Sequence, residues 1–393
     1  MAEKTAPRQW PTTDAGAPSA TSDSVLSAIS YYLPRLMFLH SRYAAETHWG
    51  DLFAVARDFP ADLIDLRSAA FWDEWRIRWC AQGDRYQSVS REARTAAGRG
   101  RALRGAAACY HWAEFMDFGD RDRKLGLRSR VRDCFLRSLE DSHLECRRGE
   151  LTLAETGSCK IHYWLFLPPA HRRPSGPAPC IIMSNGLDSM TEVEVLALAE
   201  TYLERGIAAL LFDGPGQGIH VGQVPLHIEM ETVVEVLVAW LRLQPGIAHD
   251  RLAFFGISFG GYLALRMSQR IGSLFRCVVN ISGGPRVAPF DGLPRRLRDD
   301  FRCAFACGEP VNMQALFDVI ELDVTVPAGA PVLTVHGTLD DIFPVADLVD
   351  LDRIWGTDHE LIVYEGERHT CPNMISIWSL LAADWVAEHL ETS

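Results

Sequence analysis

The sequence predicts an α/β fold, a mainly parallel sheet with helices on both faces, joined to an N-terminal all-helical domain. Three observations lead there. Short apolar, β-rich runs recur from residue 144 onward, and helical runs separate several of them. Residues 25–143, by contrast, carry helical spacing with almost no strand signal.

Taken in order, residues 1–24 are rich in Pro, Ser, Thr, Ala and Asp without periodicity, which predicts a disordered tail. In SAAFWDEWRIRWCAQGDRY and GRALRGAAACYHWAEFMDF, apolar and aromatic residues fall three and four apart. Trp72, Trp75 and Trp79 share one face, read first as helix–helix packing and second as a substrate-facing wall. The strand runs are LECRRGELTL, CKIHYWLFLP, APCIIMS, IAALLFD, RLAFFG, FRCVVNIS, PVLTVHG and HELIVYE, with helices expected over 191–205, 226–243, 260–271 and 375–391. The first two strands have no helix between them, so the leading edge is expected to be an antiparallel hairpin. The domains expected are therefore 25–143 and 144–393.

Composition removes several function classes. Of 393 residues, 48% are hydrophobic and 23% charged, and 39 basic against 51 acidic residues leave a net charge of −12. Such a chain repels nucleic acid and anionic lipid. No apolar run reaches the about eighteen residues of a membrane span, and the N-terminus lacks the apolar core of a secretory signal. Ten Cys without a C-x-x-C pair read as reduced thiols of a cytoplasmic protein. No metal-ligand spacing occurs, and neither a metal nor another cofactor is expected.

The chemistry-bearing motif is Gly256-Ile257-Ser258-Phe259-Gly260. A bare G-x-S-x-G is weak, but here an apolar strand ends at Phe255 and a small-residue helix follows Ser258, the strand–turn–helix of a nucleophile elbow. A serine needs a base and an orienting acid. In this arrangement they follow in the order Ser, acid, His. PVLTVHGTLDDIFPV ends a strand on Asp340 and Asp341; Asp340 is preferred and Asp341 is the fallback. LIVYEGERHTCPN carries His369 into the next strand-end loop. His336 is expected to brace the acid's loop, and His220 and His227 to lie on the surface. For the oxyanion, the expected donors are the N–H of Phe259 and the N–H of Leu187 in Asn185-Gly186-Leu187-Asp188-Ser189.

With NGLDSMTEVEVLALAETYLERGIAALLFDGPGQG, GISFGGYLALR, VHGTLDDIFP and EGERHTCPN in view, residues 25–393 resemble the α/β-hydrolase superfamily. The branch is that of FrsA-like esterases, bacterial 2,6-dihydroxypseudooxynicotine hydrolases and fungal polyketide-shortening hydrolases. The resemblance implies a Ser-Asp-His hydrolase with its site between two domains, in some members a homodimer. Its reactions are ester hydrolysis or cleavage of a C–C bond beside a ketone, by carbonyl hydration and a retro-Claisen step. It also implies a cap, here about residues 286–330. Two departures stand out. The nicotine-pathway members carry an extra pocket Glu downstream of the nucleophile, where this chain has only Asp291 in SGGPRVAPFDGLPRR. After DGPGQG the usual acid is replaced by Ile219-His220. Trp112, Phe290 and Asp291 are the expected substrate-binding residues of a largely hydrophobic cavity roofed by the helical domain.

The leading reading is thus a serine hydrolase of a mid-sized, aromatic or polyketide-like ketone or ester. The alternative is an acyltransferase or cyclase using the same residues with an acceptor other than water. A non-catalytic scaffold is the third.

Overall fold

A computed structural model describes residues 20–37, 41–142, 144–153, 159–305 and 312–391. Most of the expected tail, residues 1–19, lies outside these. Its last residues begin a helix instead, α1 (Ala20–Ala28), because Val25 and Ile29 bury their side chains in the helical core. A short α2 (Leu33–Leu36) and α3 (Trp49–Ala56) follow, then three long helices, α4 (Ala69–Glu92), α5 (Ala96–Glu114) and α6 (Arg121–Leu139). Side chains of Ser68, Thr95 and Asp120 cap the first-turn N–H groups of those three. Trp75 and Trp79 are buried between helices with ring centroids 5.6 Å apart, so the aromatic stripe is packing.

Among the described residues, eight strands form one sheet: β1 (Cys146–Leu153), β2 (Cys159–Phe166), β3 (Ala178–Ser184), β4 (Ala208–Phe212), β5 (Ile247–Ile257), β6 (Cys277–Ile281), β7 (Val332–Gly337) and β8 (His359–Tyr364). Their spatial order is β1-β2-β4-β3-β5-β6-β7-β8. β1 pairs with β2 and β2 with β4 antiparallel, the hairpin edge read from the sequence; all other pairs are parallel. The remaining helices are α7 (Leu196–Leu203), α8 (Glu231–Leu241), α9 (Phe259–Ile271), α10 (Arg295–Ala304), α11 (Met313–Phe317), α12 (Val345–Trp355) and α13 (Ile375–Glu391).

Successive strand residues point to opposite faces. In β3, Ile181 and Met183 enter one core with α7, α13 and the N-terminal helices. Cys180 and Ile182 enter the other with α8, α9, α12 and the α10–α11 segment. The N-terminal helices thus complete one face of the sheet. β3 lies between β4 and β5, so the chain order reverses there, and the crevice beyond the C-terminal strand ends at such a point is where open α/β sheets bind ligands.

Candidate active site

Ser258 lies between β5 and α9 with φ 62° and ψ −121°. A positive φ costs a non-glycine residue energy and persists only where the surroundings enforce it. The enforcement is visible: the Ser258 N–H donates to Ile281 O at 2.8 Å, and the N–H groups of Gly261 and Tyr262 donate to Ser258 O. A Cβ on Gly256 would fall 1.8 Å from Gly260 O, so only glycine permits this turn.

His369 follows β8, in a loop where Thr370 (φ 68°) and Cys371 (φ 46°) are left-handed. Thr370 N–H donates to Ser282 Oγ at 2.9 Å, tying the loop to the end of β6. The imidazole stands between two partners, with Nε2 2.7 Å from Ser258 Oγ and Nδ1 2.8 Å from Asp340 Oδ2. Asp340, just beyond β7, accepts from the N–H groups of Ile342 and Phe343 on its other oxygen, at 2.9 and 3.0 Å. Burial opposes its charge, but His369, His336 and the Phe343 N–H outweigh that and hold the carboxyl below its usual range. His336 hydrogen-bonds Phe343 O at 2.8 Å and so braces this turn. Asp341, the fallback acid, is exposed at the cavity lining and takes no part in this chain of hydrogen bonds.

The loop after β3 reaches the same place. Gly186 and Leu187 line a cavity of about 390 Å³ together with Ser258, Phe259 and His369. The Phe259 N–H opens α9 and has no intrahelical acceptor. The Asp213-Gly214-Pro215-Gly216-Gln217-Gly218 motif explains how the loop is held. Asp213 accepts from Asn185 Nδ2 at 2.7 Å, Thr191 Oγ1 at 2.5 Å and the Ile219 N–H at 3.1 Å. Gln217 Nε2 donates to Asn185 O at 2.6 Å. The motif is a buried brace behind the loop that follows β3.

Three expected substrate-binding residues do not reach the cavity. Trp112 is buried, its ring edge-on to Phe115 at 5.4 Å and its carbonyl accepting from Trp75 Nε1. The C-terminal half of α5 is covered on all sides, so Trp112 faces neighbouring helices. Phe290 packs on Phe317 at 5.2 Å, and Asp291, the next residue, is exposed on a short turn. His220 is buried rather than on the surface, its ring stacked on His162 with centroids 6.0 Å apart. The helical region instead reaches the cavity through Tyr31, Tyr32, Pro34 and Arg35, and the segment after β6 through Arg296, Leu297, Asp300 and Phe301. Burial, with Asp188 adding to it and Arg296 opposing, pushes Asp300 up to about 7.

A charged cluster on the cavity wall has no counterpart in the sequence reading. Arg35 grips Asp188 through both terminal nitrogens, at 2.9 and 3.0 Å, and Glu194 at 2.6 and 2.9 Å. Arg296 also hydrogen-bonds Asp188. Both guanidinium groups lie over the Phe115 ring, at 4.5 and 4.2 Å. The partners are 153 and 108 positions apart in the chain, beyond any local pattern. The one available cue was an acid, Asp188, inside the loop expected to donate to the oxyanion.

The sequence model of the family described as "Esterase FrsA-like" matches residues 61–287. The chain belongs to the FrsA-like esterase family. A prolyl oligopeptidase family model matches residues 228–393. The chain is 24% identical over 350 residues to the 2,6-dihydropseudooxynicotine hydrolase of Paenarthrobacter nicotinovorans, covering 87% of this chain and 92% of that protein. It is 37% identical over 121 residues to the 20-hydroxy-prefusarin hydrolase of Gibberella moniliformis, and that match spans only 29% of either protein. A hydrolyase of Penicillium oxalicum is 29% identical over 227 residues, 51% of each. The crystal structure of the 2,6-dihydroxy-pseudo-oxynicotine hydrolase superposes with a TM-score of 0.74 at 20% identity, covering 88% of this chain and 93% of that one. That likeness establishes the α/β-hydrolase fold, and the relatives it matches are themselves named hydrolases. No helix among the described residues is long and apolar enough to cross a membrane.

Proposed function

We propose that this FrsA-like family member is a serine hydrolase in which Ser258 is the nucleophile, His369 the general base and then acid, and Asp340 the group that holds the imidazole tautomer and stabilises its cation. One observation carries the reading: a continuous Asp340–His369–Ser258 hydrogen-bond chain, with contacts of 2.8 and 2.7 Å, opening on a cavity of about 390 Å³. Such a volume suits a mid-sized ligand. Its apolar wall of Leu187, Val195, Leu198, Ile257, Leu297 and Phe301 suits an aromatic or polyketide-like one.

In the ester case Ser258 Oγ attacks the carbonyl carbon while its proton passes to His369 Nε2. The N–H groups of Phe259 and Leu187 receive the negative charge on oxygen. His369 then protonates the leaving alkoxide, and water repeats the sequence on the acyl-enzyme. In the C–C case Ser258 Oγ adds to the ketone carbonyl in the same way, the bond to the neighbouring carbon breaks, the enolate so released takes its proton from His369, and water then hydrolyses the acyl-enzyme. Two relatives are named as hydrolases of 20-hydroxy-prefusarin and of 2,6-dihydropseudooxynicotine, which favours a mid-sized organic substrate. Eight cysteines, Cys80, Cys180 and Cys371 among them, are free thiols, which suits the cytoplasm.

The test is paired turnover by wild type and Ser258→Ala on short aryl esters, an acyl thioester and an aromatic β-diketone, with products identified by mass. Ser258-dependent release of an acid from any of them supports the reading. Diketone cleavage with inert esters assigns C–C hydrolysis, and the reverse assigns an esterase. Turnover that survives Ser258→Ala contradicts it.

A further inference from the structure

The loop that carries the Leu187 N–H is four residues long between two fixed points. Upstream, Asn185 is held through its side chain by Asp213 and through its carbonyl by Gln217. Downstream, Asp188 is held from three directions. Arg35 of α2 takes both carboxylate oxygens, Arg296 of α10 shares one of them, and Arg128 of α6 donates to the Asp188 carbonyl at 3.1 Å. The direction of a peptide N–H is set by the backbone on either side of it, so anchoring residues 185 and 188 aims the N–H of residue 187. Glycine at 186 leaves that loop no rigidity of its own.

We propose that Asp188 is a positioning residue for the oxyanion hole, through which Arg35 and Arg296 make the alignment of the Leu187 N–H depend on docking of the N-terminal helices and of the α10 segment. The inference rests on the reading that Leu187 and Phe259 donate to the oxyanion.

The charges point to an internal clamp rather than a seat for a substrate carboxylate. Arg35 and Arg296 contribute two positive charges and Asp188 and Glu194 two negative ones, with Asp300 3.6 Å from Arg296 and His111 3.6 Å from Glu194 beside them. Asp188 keeps 14% of its side chain exposed, and both its oxygens are already engaged. Burial disfavours its charge, but the two guanidinium groups outweigh that and hold its carboxyl well below the usual carboxylate range. The two forks come from segments 108 and 153 positions away, so the hole is completed only when three parts of the chain meet.

The experiment compares wild type, Asp188→Asn and Arg35→Lys on the best substrate of the panel above. It also measures binding of an aryl trifluoromethyl ketone, whose carbonyl carbon bonds to Ser258 Oγ to give an oxyanion adduct, and of the matching secondary alcohol, which forms no adduct. Loss of one oxyanion donor costs about 10²–10³ in kcat. Asp188→Asn should therefore lower kcat by about 10²-fold, weaken the ketone by a similar factor, and leave KM and alcohol binding within about threefold. Arg35→Lys keeps the charge but loses the two-pronged grip, and should fall between. Unchanged kcat and ketone affinity in both variants would overturn the proposal, as would a rise in KM with kcat intact. If Asp188→Asn gives no cooperative melt, Arg35→Lys decides alone. Indifferent variants of an active wild type would sink the clamp only, whereas a wild type without Ser258-dependent turnover would sink the hydrolase reading and the clamp with it.

Discussion

A Cβ placed on Gly186 would stand 3.1 Å from Ser258 Cβ and 3.3 Å from Ser258 Oγ. The loop after β3 therefore passes so close to Ser258 that a side chain at position 186 must push one of them aside by a few tenths of an ångström. Gly186→Ala should lower kcat by at least about tenfold, because the methyl group meets Ser258 Cβ and Oγ before any other atom, with a smaller effect on the melting temperature. Steady-state kinetics beside a thermal melt check this. Unimpaired kcat would mean that the loop can retreat without consequence.

Asp340→Asn keeps the shape of the turn but leaves His369 Nδ1 facing an amide. Loss of the orienting carboxylate stabilises the wrong tautomer and costs about 10⁴ in turnover in enzymes built this way. The same order of loss is expected here, with Asp341→Asn far milder. If Asp341→Asn proves the damaging change, the hydrogen bond from His369 to Asp340 is not the one used in turnover.

Glu114 is fully buried among Lys124 at 2.6 Å, Arg128 at 3.1 Å and His111 at 3.2 Å. Burial opposes its charge, but Arg128, Lys124 and His111 hold it far below the usual range. Removing one partner of a buried ionic set strands the others and costs about 3–5 kcal/mol. Glu114→Gln should show a loss of this size in denaturant titration. A loss below about 1 kcal/mol, the size expected of an exposed pair, would mean that water reaches the cluster.

Asp300 gives a pH dependence of defined sign. Its folded value, pushed up to about 7, lies above the ordinary carboxyl value near 3.8, so the folded chain holds this proton more tightly. The resulting stabilisation is fully present below the unfolded value and is lost as pH rises through about 7. Wild type should therefore lose more melting temperature between pH 5 and pH 8 than Asp300→Asn does. Parallel curves for the two proteins would contradict the assignment.

How legible the molecule was in its sequence depended on how local each signal is. The strands read from apolar runs appear in the sheet, and the antiparallel β1–β2 edge follows from the absent helix between them. Ser258, Asp340 and His369 were readable because each follows a strand, and strand ends collect at one edge of a parallel sheet. The cavity wall was not readable in this way. Trp112 looked exposed to substrate because an aromatic on a helix does not announce which neighbour covers it, and Trp75 and Phe115 do. Asp291 is the first acid after Ser258 in the chain, yet Asp300 lines the cavity and Asp291 does not, because α10 turns its Arg296–Asp300 face inward. The Arg35–Asp188 pair joins segments 153 positions apart, and only the packing of the helices on the sheet brings them together.

The central claim is that Ser258 and His369 act as one unit, and turnover by Ser258→Ala, His369→Ala and the double variant tests it most directly. Each single change should lower kcat by several orders of magnitude, up to about 10⁶, and the double variant should lose no more than about another tenfold. Losses that multiply across the two sites, or a His369→Ala protein that keeps its turnover, would contradict the account.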